Sequence, residues 1–173
     1  MIIMLHGLPG SGKSFLADKI AKNIPNSIIL KTVSYRKTEL KGTDRFNETY
    51  STARKEKDES YKLLLEETKK YLLQGKTPIL DATFHKKYRR EWFYELAKKM
   101  KQKIAVIDVI ADEQKIKQRM QERKGKTDKD AYLDSWEAHK LMKEQGDDLG
   151  EEGDILRVNS DEIERVVKWL KSL

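Results

Sequence analysis

The sequence of 173 residues contains no cysteine, and this absence removes several kinds of site at once. Without cysteine there is no disulfide framework, no thiolate nucleophile and no zinc–thiolate centre. Aromatic residues are also scarce, at 8%. We expect Trp92, Phe93 and Tyr94 to lie mostly in the core, because a platform that stacks bases would need them exposed beside basic residues. The absence of cysteine therefore excludes thiol chemistry, and the few aromatic residues are expected in the core.

Long apolar runs are missing as well, since no stretch approaches the roughly 18 apolar residues of a membrane-spanning helix. The apolar start MIIML is short and has no basic residues before it, so it predicts a first strand and not a signal peptide. We therefore expect a cytoplasmic protein without a membrane partner. The length predicts a single domain, residues 1–173, large enough to bury a core.

Charge is abundant and unevenly placed, with a formal net charge of +7. Residues 84–103 hold eight Lys or Arg against two Glu, and residues 115–129 hold seven Lys or Arg against two acids. A basic balance favours anionic partners such as phosphates or nucleic acid. Taken alone, however, the charge fits the solvated faces of Lys- and Glu-rich helices better.

The order of apolar segments indicates the fold class. Continuous apolar runs alternate with stretches of helical periodicity, which is typical of a parallel sheet covered by helices on both faces. We therefore predict an α/β fold of three layers with a five-stranded parallel sheet. Its five parallel strands are expected at 1–5, 27–30, 77–81, 103–110 and 154–158. Helices are expected after the first loop and at 52–74, around 92–100, at 112–123, at roughly 128–145 and after residue 161.

The most specific motif is HGLPGSGKS at residues 6–14, which matches G-x-x-x-x-G-K-[ST]. It follows a predicted strand and opens a predicted helix, which is the context of a P-loop, so we expect the three-layer fold to be the P-loop NTPase fold with a helical lid. Glycines let successive backbone N–H groups point at phosphate oxygens, and the helix N-terminus adds positive dipole character. Lys13 should reach the β- and γ-phosphates, and the Ser14 hydroxyl should ligate Mg²⁺. We expect ATP to contact Gly7, Pro9, Gly10, Ser11, Gly12, Lys13 and Ser14.

Two further features suit phosphoryl transfer. Asp81 ends the third predicted strand, at the edge where parallel sheets bind ligands, so it could hold Mg²⁺ through water or touch the acceptor. A helix N-cap or turn aspartate is the alternative for this position. Arg119 and Arg123 are four residues apart on one helix face, before a basic segment that could close as a lid over about 119–153. On spacing alone, a solvated face explains the two arginines better.

The segments GLPGSGKS, YRKT, TPILDATF and the R-x-x-x-R of Arg119 and Arg123 together resemble the small P-loop kinases of the polynucleotide-kinase type. This group includes zeta-toxin-like proteins and stand-alone AAA-type predicted kinases. The resemblance implies that Arg119 and Arg123 belong to the lid and contact ATP phosphates. It also implies that Arg36 binds the acceptor or its phosphate, that Asp81 lies on the acceptor–magnesium side, and that the third strand lies beside the first. DATFH replaces the D-G-F-P-R-like segment of adenylate-kinase relatives, which disfavours a nucleoside-monophosphate kinase.

One position departs from this pattern. The polynucleotide-kinase pattern has an aspartate three residues before the arginine, as the base for the acceptor hydroxyl, and this chain has Val33 there. Glu39, Asp44 or Asp81 could supply the base instead. Transfer could also dispense with a strong base, since its transition state is loose. A third reading is that the protein binds ATP without efficient transfer.

The three histidines are interpreted mainly as structural residues. His6, at the end of the first strand, is expected to be packed or in a polar contact. His85 follows Asp81 closely enough to meet the acceptor, although a structural role is the better expectation. His139 is expected on a helix far from the motifs. Three scattered histidines also make a zinc site unexpected.

These observations lead to one main hypothesis and two alternatives. The main hypothesis is an ATP- and Mg²⁺-dependent kinase that phosphorylates a hydroxyl, with the 5′-hydroxyl end of RNA or DNA as the favoured acceptor. A small-molecule or nucleotide kinase is the close alternative. The other is a binding module in which ATP closes the lid and changes the affinity for an RNA or protein partner.

Overall fold

The computed structural model describes residues 1–35, 44–123, 136–150 and 153–173, except for the side chains at positions 45 and 123. The strands are β1 (Ile2–His6), β2 (Ser27–Lys31), β3 (Thr77–Asp81), β4 (Ile104–Ile110) and β5 (Ile155–Asn159). The helices in this part of the chain are α1 (Lys13–Asn23), α2 (Ser51–Leu73), α3 (Lys87–Lys99), α4 (Glu113–Arg123), α5 (Trp136–Glu144) and α6 (Ile163–Ser172). Two short 3₁₀ turns, Thr32–Tyr35 and Asp44–Phe46, lie between β2 and α2.

The five strands form one sheet in the order β2-β3-β1-β4-β5, and every neighbouring pair is parallel. The third strand therefore lies beside the first, as expected. All five predicted strands are present within about one residue of their predicted bounds. Because the strands are parallel, their carboxyl ends meet at one edge of the sheet, and the segments that follow β1, β3 and β4 converge there.

Side chains of the central strands alternate between two buried clusters. Ile2, Met4 and Leu80 face α2 and α3, whereas Ile3 and Ile79 face α1 and α6. Both faces of the sheet are apolar, which explains why the strands read as continuous apolar runs in the sequence. The α/β, three-layer prediction is confirmed.

The aromatic residues of α3 belong to the first of these clusters. Phe93 is fully buried and meets Phe84 edge-to-face, with ring centroids 5.2 Å apart. Trp92 and Tyr94 pack partly buried against the same cluster, as expected. Within the described ranges, none of the helices combines the length and the apolar character needed to cross a membrane.

Candidate active site

The loop between β1 and α1 curls back on itself at glycines with positive φ. At Gly12 φ is +101°, and a Cβ there would lie 2.5 Å from the Cβ and Oγ of Ser160. The same Cβ would lie 3.2 Å from a guanidinium nitrogen of Arg119. Only glycine fits this position, both because of the backbone angle and because β5 and α4 leave no room. The motif therefore forms the tight loop that its glycines predict.

Helix α1 starts at Lys13, directly after the loop. The first N–H groups of a helix lack partners within that helix, so they point at the space that the loop encloses. Lys13 is 8% exposed, and its Nζ donates to the carbonyl of Leu8 at 2.9 Å. Ser11 Oγ is buried in the same loop without a hydrogen-bond partner among the described residues. The loop thus collects N–H, hydroxyl and ammonium donors, a set that suits phosphate oxygens.

Ser14 and Asp81 meet at the carboxyl edge of the sheet. The Ser14 hydroxyl donates to Asp81 Oδ2 at 2.6 Å, and Lys31 Nζ lies 3.7 Å from the same oxygen. Asp81 is buried, and it ends β3 next to the strand that carries the loop. Hydroxyl and carboxylate oxygens are the ligands that Mg²⁺ prefers, so this pair fits the ion. The sequence predicted both residues for the metal, and the fold places them in contact.

Arg119, on α4, contacts the P-loop. One of its guanidinium nitrogens donates to the carbonyls of Gly10 and Ser11, at 3.2 and 3.0 Å. The other donates to Ser160 Oγ at 3.3 Å. Arg119 therefore ties α4 to the loop and to the end of β5. Its predicted contact with ATP phosphates stays a prediction, and the same holds for Arg123, whose side chain is outside the described part of the structure.

The other acceptor-side predictions are only partly covered by the structure. Arg36 and Glu39 lie outside the described residues. Val33 lies in the turn after β2. Asp44 begins the next turn and is exposed, and Asp81 is hydrogen-bonded to the Ser14 hydroxyl. The general base therefore stays a prediction.

His139 lies beside the P-loop, and the expectation that it is far from the motifs was wrong. Its Nδ1 donates to the carbonyl of Pro9 at 2.9 Å, since a carbonyl can only accept. Its neighbours Ala138 and Met142 form a small buried cluster with Phe46. Burial lowers the pKa of His139. Helix α5, within the predicted lid, therefore packs directly on the nucleotide loop.

His6 makes the polar contact expected of it. Its Nδ1 lies 2.8 Å from Asp108 Oδ1, and Arg157 Nε donates to Asp108 Oδ2 at 2.7 Å. The three residues form a row across β1, β4 and β5, because they are register partners in the sheet. Burial alone would raise the pKa of Asp108, but the hydrogen bonds from His6 and Arg157 hold it below its ordinary value. The row stabilises the strand end that carries the loop.

Sequence reasoning missed a buried network of charged residues around Glu48. The carboxylate of Glu48 accepts from Lys57 Nζ at 2.9 Å and from Arg89 at 2.5 Å, and it lies 2.6 Å from His85 Nε2. Arg89 also bonds Asp58 at 2.8 Å. Burial would raise the pKa of Glu48, but the hydrogen bonds from His85 and Arg89 and the charge of Lys57 hold it far below its ordinary value. The carboxylate is therefore ionised, and His85 belongs to this buried network.

Two arginines of the basic segment 84–103 are internal. Arg89 and Arg90 are both fully buried. Arg90 donates to the carbonyls of Phe84 and Asp148, at 2.8 and 2.7 Å. Their charges therefore hold α3 to neighbouring segments and do not contribute to an exposed anion-binding surface.

The sequence matches a known family over the elements that form the candidate site. A profile of the AAA domain (AAA_33) matches residues 2–149, which include the loop, β3 and the helix with Arg119. The chain belongs to this AAA-domain family. Among curated proteins, none matches the sequence. The AAA-domain assignment agrees with the resemblance to stand-alone P-loop kinases.

Solved structures support the same fold. The AAA domain is similar to a sugar kinase from a Janibacter species, with a TM-score of 0.75 and 15% identity, over 98% of this chain and 94% of that one. It is also similar to Kti12 from Chaetomium thermophilum in complex with ADP-AlF3, with a TM-score of 0.74 and 16% identity, over 99% and 98% of the two chains. At such identities the likeness shows the fold alone: the AAA domain has a P-loop kinase-like fold.

Replacing Gly12 with alanine is expected to weaken nucleotide binding to this AAA domain at least about tenfold, or 1.4 kcal/mol. The added Cβ would meet Ser160 and would require a strained backbone, which costs about 1–3 kcal/mol. Titration with a fluorescent ATP analogue measures the change. Gly75→Ala is the matched control, because Gly75 also has a positive φ, of +72°, but nothing within 4 Å. Equal affinity of the Gly12 variant would contradict the packing of the loop on Ser160.

The stability of the AAA domain is expected to fall by roughly 2 kcal/mol between pH 7 and pH 5 because of His85. Burial lowers the pKa of His85 from its ordinary value of 6.5 to about 4, and the charges of Lys57 and Arg89 act in the same direction against the opposing effect of Glu48. Since the folded-state pKa is the lower one, the unfolded chain binds the proton first, and stability falls as pH drops from about 6.5 towards 4.

Urea unfolding of the wild type and of His85→Gln at both pH values measures this dependence. The substitution removes the ionisable group, so the variant should lose about 2 kcal/mol less than the wild type over this pH interval. Parallel curves for the two proteins would show that His85 is not buried in its neutral form.

Proposed function

We propose that this AAA domain is an ATP- and Mg²⁺-dependent phosphotransferase that moves the γ-phosphate to a hydroxyl acceptor. The observation that carries the proposal is the contact between Ser14 and Asp81 at the mouth of the P-loop, 2.6 Å apart. A nucleotide-binding loop alone would serve many functions. A loop with a hydroxyl and a buried carboxylate at the carboxyl edge also has what phosphoryl transfer needs for its metal.

Each residue has a role in this proposal. Lys13 leaves the carbonyl of Leu8 and pairs with the β- and γ-phosphates, while the N–H groups at the start of α1 hold the remaining oxygens. Arg119 keeps the loop in shape, and together with Arg123 it neutralises charge on the phosphoryl group in transfer. Ser14 and Asp81 would hold Mg²⁺, which when bound would neutralise charge on the β- and γ-phosphates.

The acceptor is proposed at the level of a hydroxyl group. The resemblance to polynucleotide kinases and the net charge of +7 favour the 5′-hydroxyl of RNA or DNA. The burial of Arg89 and Arg90 weakens the charge argument, because neither side chain reaches the surface. One structural relative is a sugar kinase, which favours a small hydroxyl compound. Arg36, which lies outside the described residues, is proposed to bind the acceptor or its phosphate in either case.

The test uses γ-³²P-ATP with Mg²⁺ and two sets of acceptors in parallel. One set contains 5′-hydroxyl RNA and DNA oligonucleotides, and the other contains nucleosides, nucleotides and sugars. Label on an oligonucleotide that disappears with EDTA would support a polynucleotide kinase. Label on a small molecule alone would support the phosphotransferase with the other acceptor class. Tight ATP binding without transfer to any acceptor would contradict the proposal and favour the ATP-dependent binding module.

A further inference from the structure

A continuous chain of hydrogen bonds runs from the end of β3 to the buried Glu48 network. Thr83 Oγ1 lies 3.0 Å from His85 Nδ1, and His85 Nε2 lies 2.6 Å from Glu48 Oε1. The donor and acceptor in each of these hydrogen bonds can be assigned by starting from Tyr61, which lies on the other side of Thr83. Tyr61 Oη accepts from the N–H of Phe84 at 2.9 Å, so its own proton is available for Thr83 Oγ1 at 3.3 Å. The Thr83 proton then points to Nδ1, and the imidazole proton on Nε2 points to Glu48.

Thr83 connects these hydrogen bonds to the candidate active site. It follows Asp81 by two residues, and its carbonyl accepts from the N–H of Gly7, the first glycine of the P-loop, at 3.3 Å. Thr83 is only partly buried, whereas His85 and Glu48 are 2% and 3% exposed. Of the three residues, Thr83 is the most exposed, and its backbone contacts the P-loop.

We propose that Thr83, His85 and Glu48 form a proton relay that accepts the proton of the acceptor hydroxyl. The relay rests on the proposed function and takes the role that an aspartate at position 33 has in the polynucleotide-kinase pattern. Thr83 would be the catalytic residue, because it would touch the acceptor. His85 and Glu48 act through it and are positioning residues.

The step balances without a further reactant. The acceptor oxygen forms a bond to the γ-phosphorus, and the bond from that phosphorus to the β–γ bridging oxygen breaks, so that ADP leaves. The acceptor proton moves to the Thr83 oxygen, while the Thr83 proton moves to His85 Nδ1. The resulting imidazolium donates from Nε2 to the ionised Glu48. After product release the proton returns through Thr83 to water.

The strength of the imidazole as a base suits this task. Burial lowers the pKa of His85 to about 4, close to that of an ordinary aspartate, which is about 3.9. The cations Lys57 and Arg89 disfavour the imidazolium, while Glu48 stabilises it. Tyr61, with its hydroxyl 3.3 Å from Thr83 Oγ1, and Asp58, paired with Arg89, are further ionisable groups near these hydrogen bonds. A base of aspartate strength is sufficient where the transition state is loose and the proton leaves late.

The test compares Thr83→Val, which removes the hydroxyl at almost constant volume, with Thr83→Ser, which keeps it. Two probes are used, a 5′-hydroxyl oligoribonucleotide and water, so that both transfer and ATP hydrolysis from γ-³²P-ATP are measured. Thr83→Val should lower kcat by about 10²-fold or more, with the KM for ATP within about twofold of the wild type. Thr83→Ser should recover most of the rate.

The control is Thr68→Val, in the middle of α2. Thr68 is buried and its hydroxyl donates to the carbonyl of Leu64 within the helix. The same chemical change there should alter stability and not kcat. For His85, the readouts are the solvent deuterium isotope effect on kcat and the acid limb of the kcat–pH profile. Both the isotope effect and the acid limb should diminish in His85→Gln. If His85 had a purely structural role, the substitution would change neither of them.

The outcomes separate the relay from the function on which it rests. An active wild type with Thr83→Val at the same kcat, or with an unchanged isotope effect in His85→Gln, would overturn the relay and leave the phosphotransferase intact. A wild type that binds ATP but transfers label neither to the oligoribonucleotide, nor to the other acceptors, nor to water would overturn both.

Discussion

Lys13→Ala is expected to lower the rate of phosphoryl transfer by about 10³-fold or more, with little change in folding. The ammonium group stands at the first turn of α1 and is 8% exposed, so it acts on the phosphates where water screens it little. The folded protein loses the hydrogen bond of Lys13 to Leu8, worth about 1 kcal/mol. For a chain of this length that is a shift in melting temperature of roughly 2–4 °C. Transfer of label from γ-³²P-ATP and thermal unfolding measure the two effects.

The matched control is Lys22→Ala, in the last turn of the same helix. Lys22 is exposed and lies at the opposite end of α1 from the P-loop. Lys22→Ala removes the same charge from the same helix. The transfer rate should stay within about twofold of the wild type, as expected for an exposed surface site. Full activity of Lys13→Ala would refute the assignment as a P-loop phosphotransferase.

Glu48→Gln is expected to lower the free energy of unfolding by about 3–5 kcal/mol. The substitution keeps the shape of the side chain but leaves Lys57 and Arg89 buried without their shared carboxylate. Arg89 retains Asp58, which is partly exposed and lies 2.8 Å from its Nε. A buried cation that loses its carboxylate partner is costly because the interior cannot replace its hydration. Urea unfolding at pH 7 measures the loss.

Glu67→Gln is the control for removal of a carboxylate charge. Glu67 pairs with Lys70 at 3.3 Å on the surface of α2, where the Lys70 side chain is exposed and the Glu67 side chain is partly exposed. Such a pair contributes about 0–1 kcal/mol, so the control should unfold almost as the wild type does. A Glu48 variant as stable as the Glu67 variant would show that the network does not hold the segment 44–50 to α2 and α3.

The fold and the centre of the candidate site could be predicted because their signals are local. HGLPGSGKS is contiguous, and its glycines, lysine and serine need only the strand before them and the helix after them to form the loop. The apolar runs of β1 and β4 predict buried parallel strands because both faces of such strands are covered. Asp81 could be placed beside Ser14 because carboxyl ends of parallel strands share one edge.

Only the tertiary structure decided which remote side chains meet one another around the P-loop and the end of β3. His139 bonds the carbonyl of Pro9 across 130 positions, and Glu48 meets His85 across 37. No spacing rule connects such pairs, because their contact depends on how whole helices pack on the sheet. Burial then changed their chemistry: Arg89 and Arg90 became internal ion and hydrogen-bond partners, and His85 became a weak base next to an ionised carboxylate. Sequence determines which groups the chain carries along its own elements. Packing determines their neighbours and their access to water, and these set their charge and reactivity.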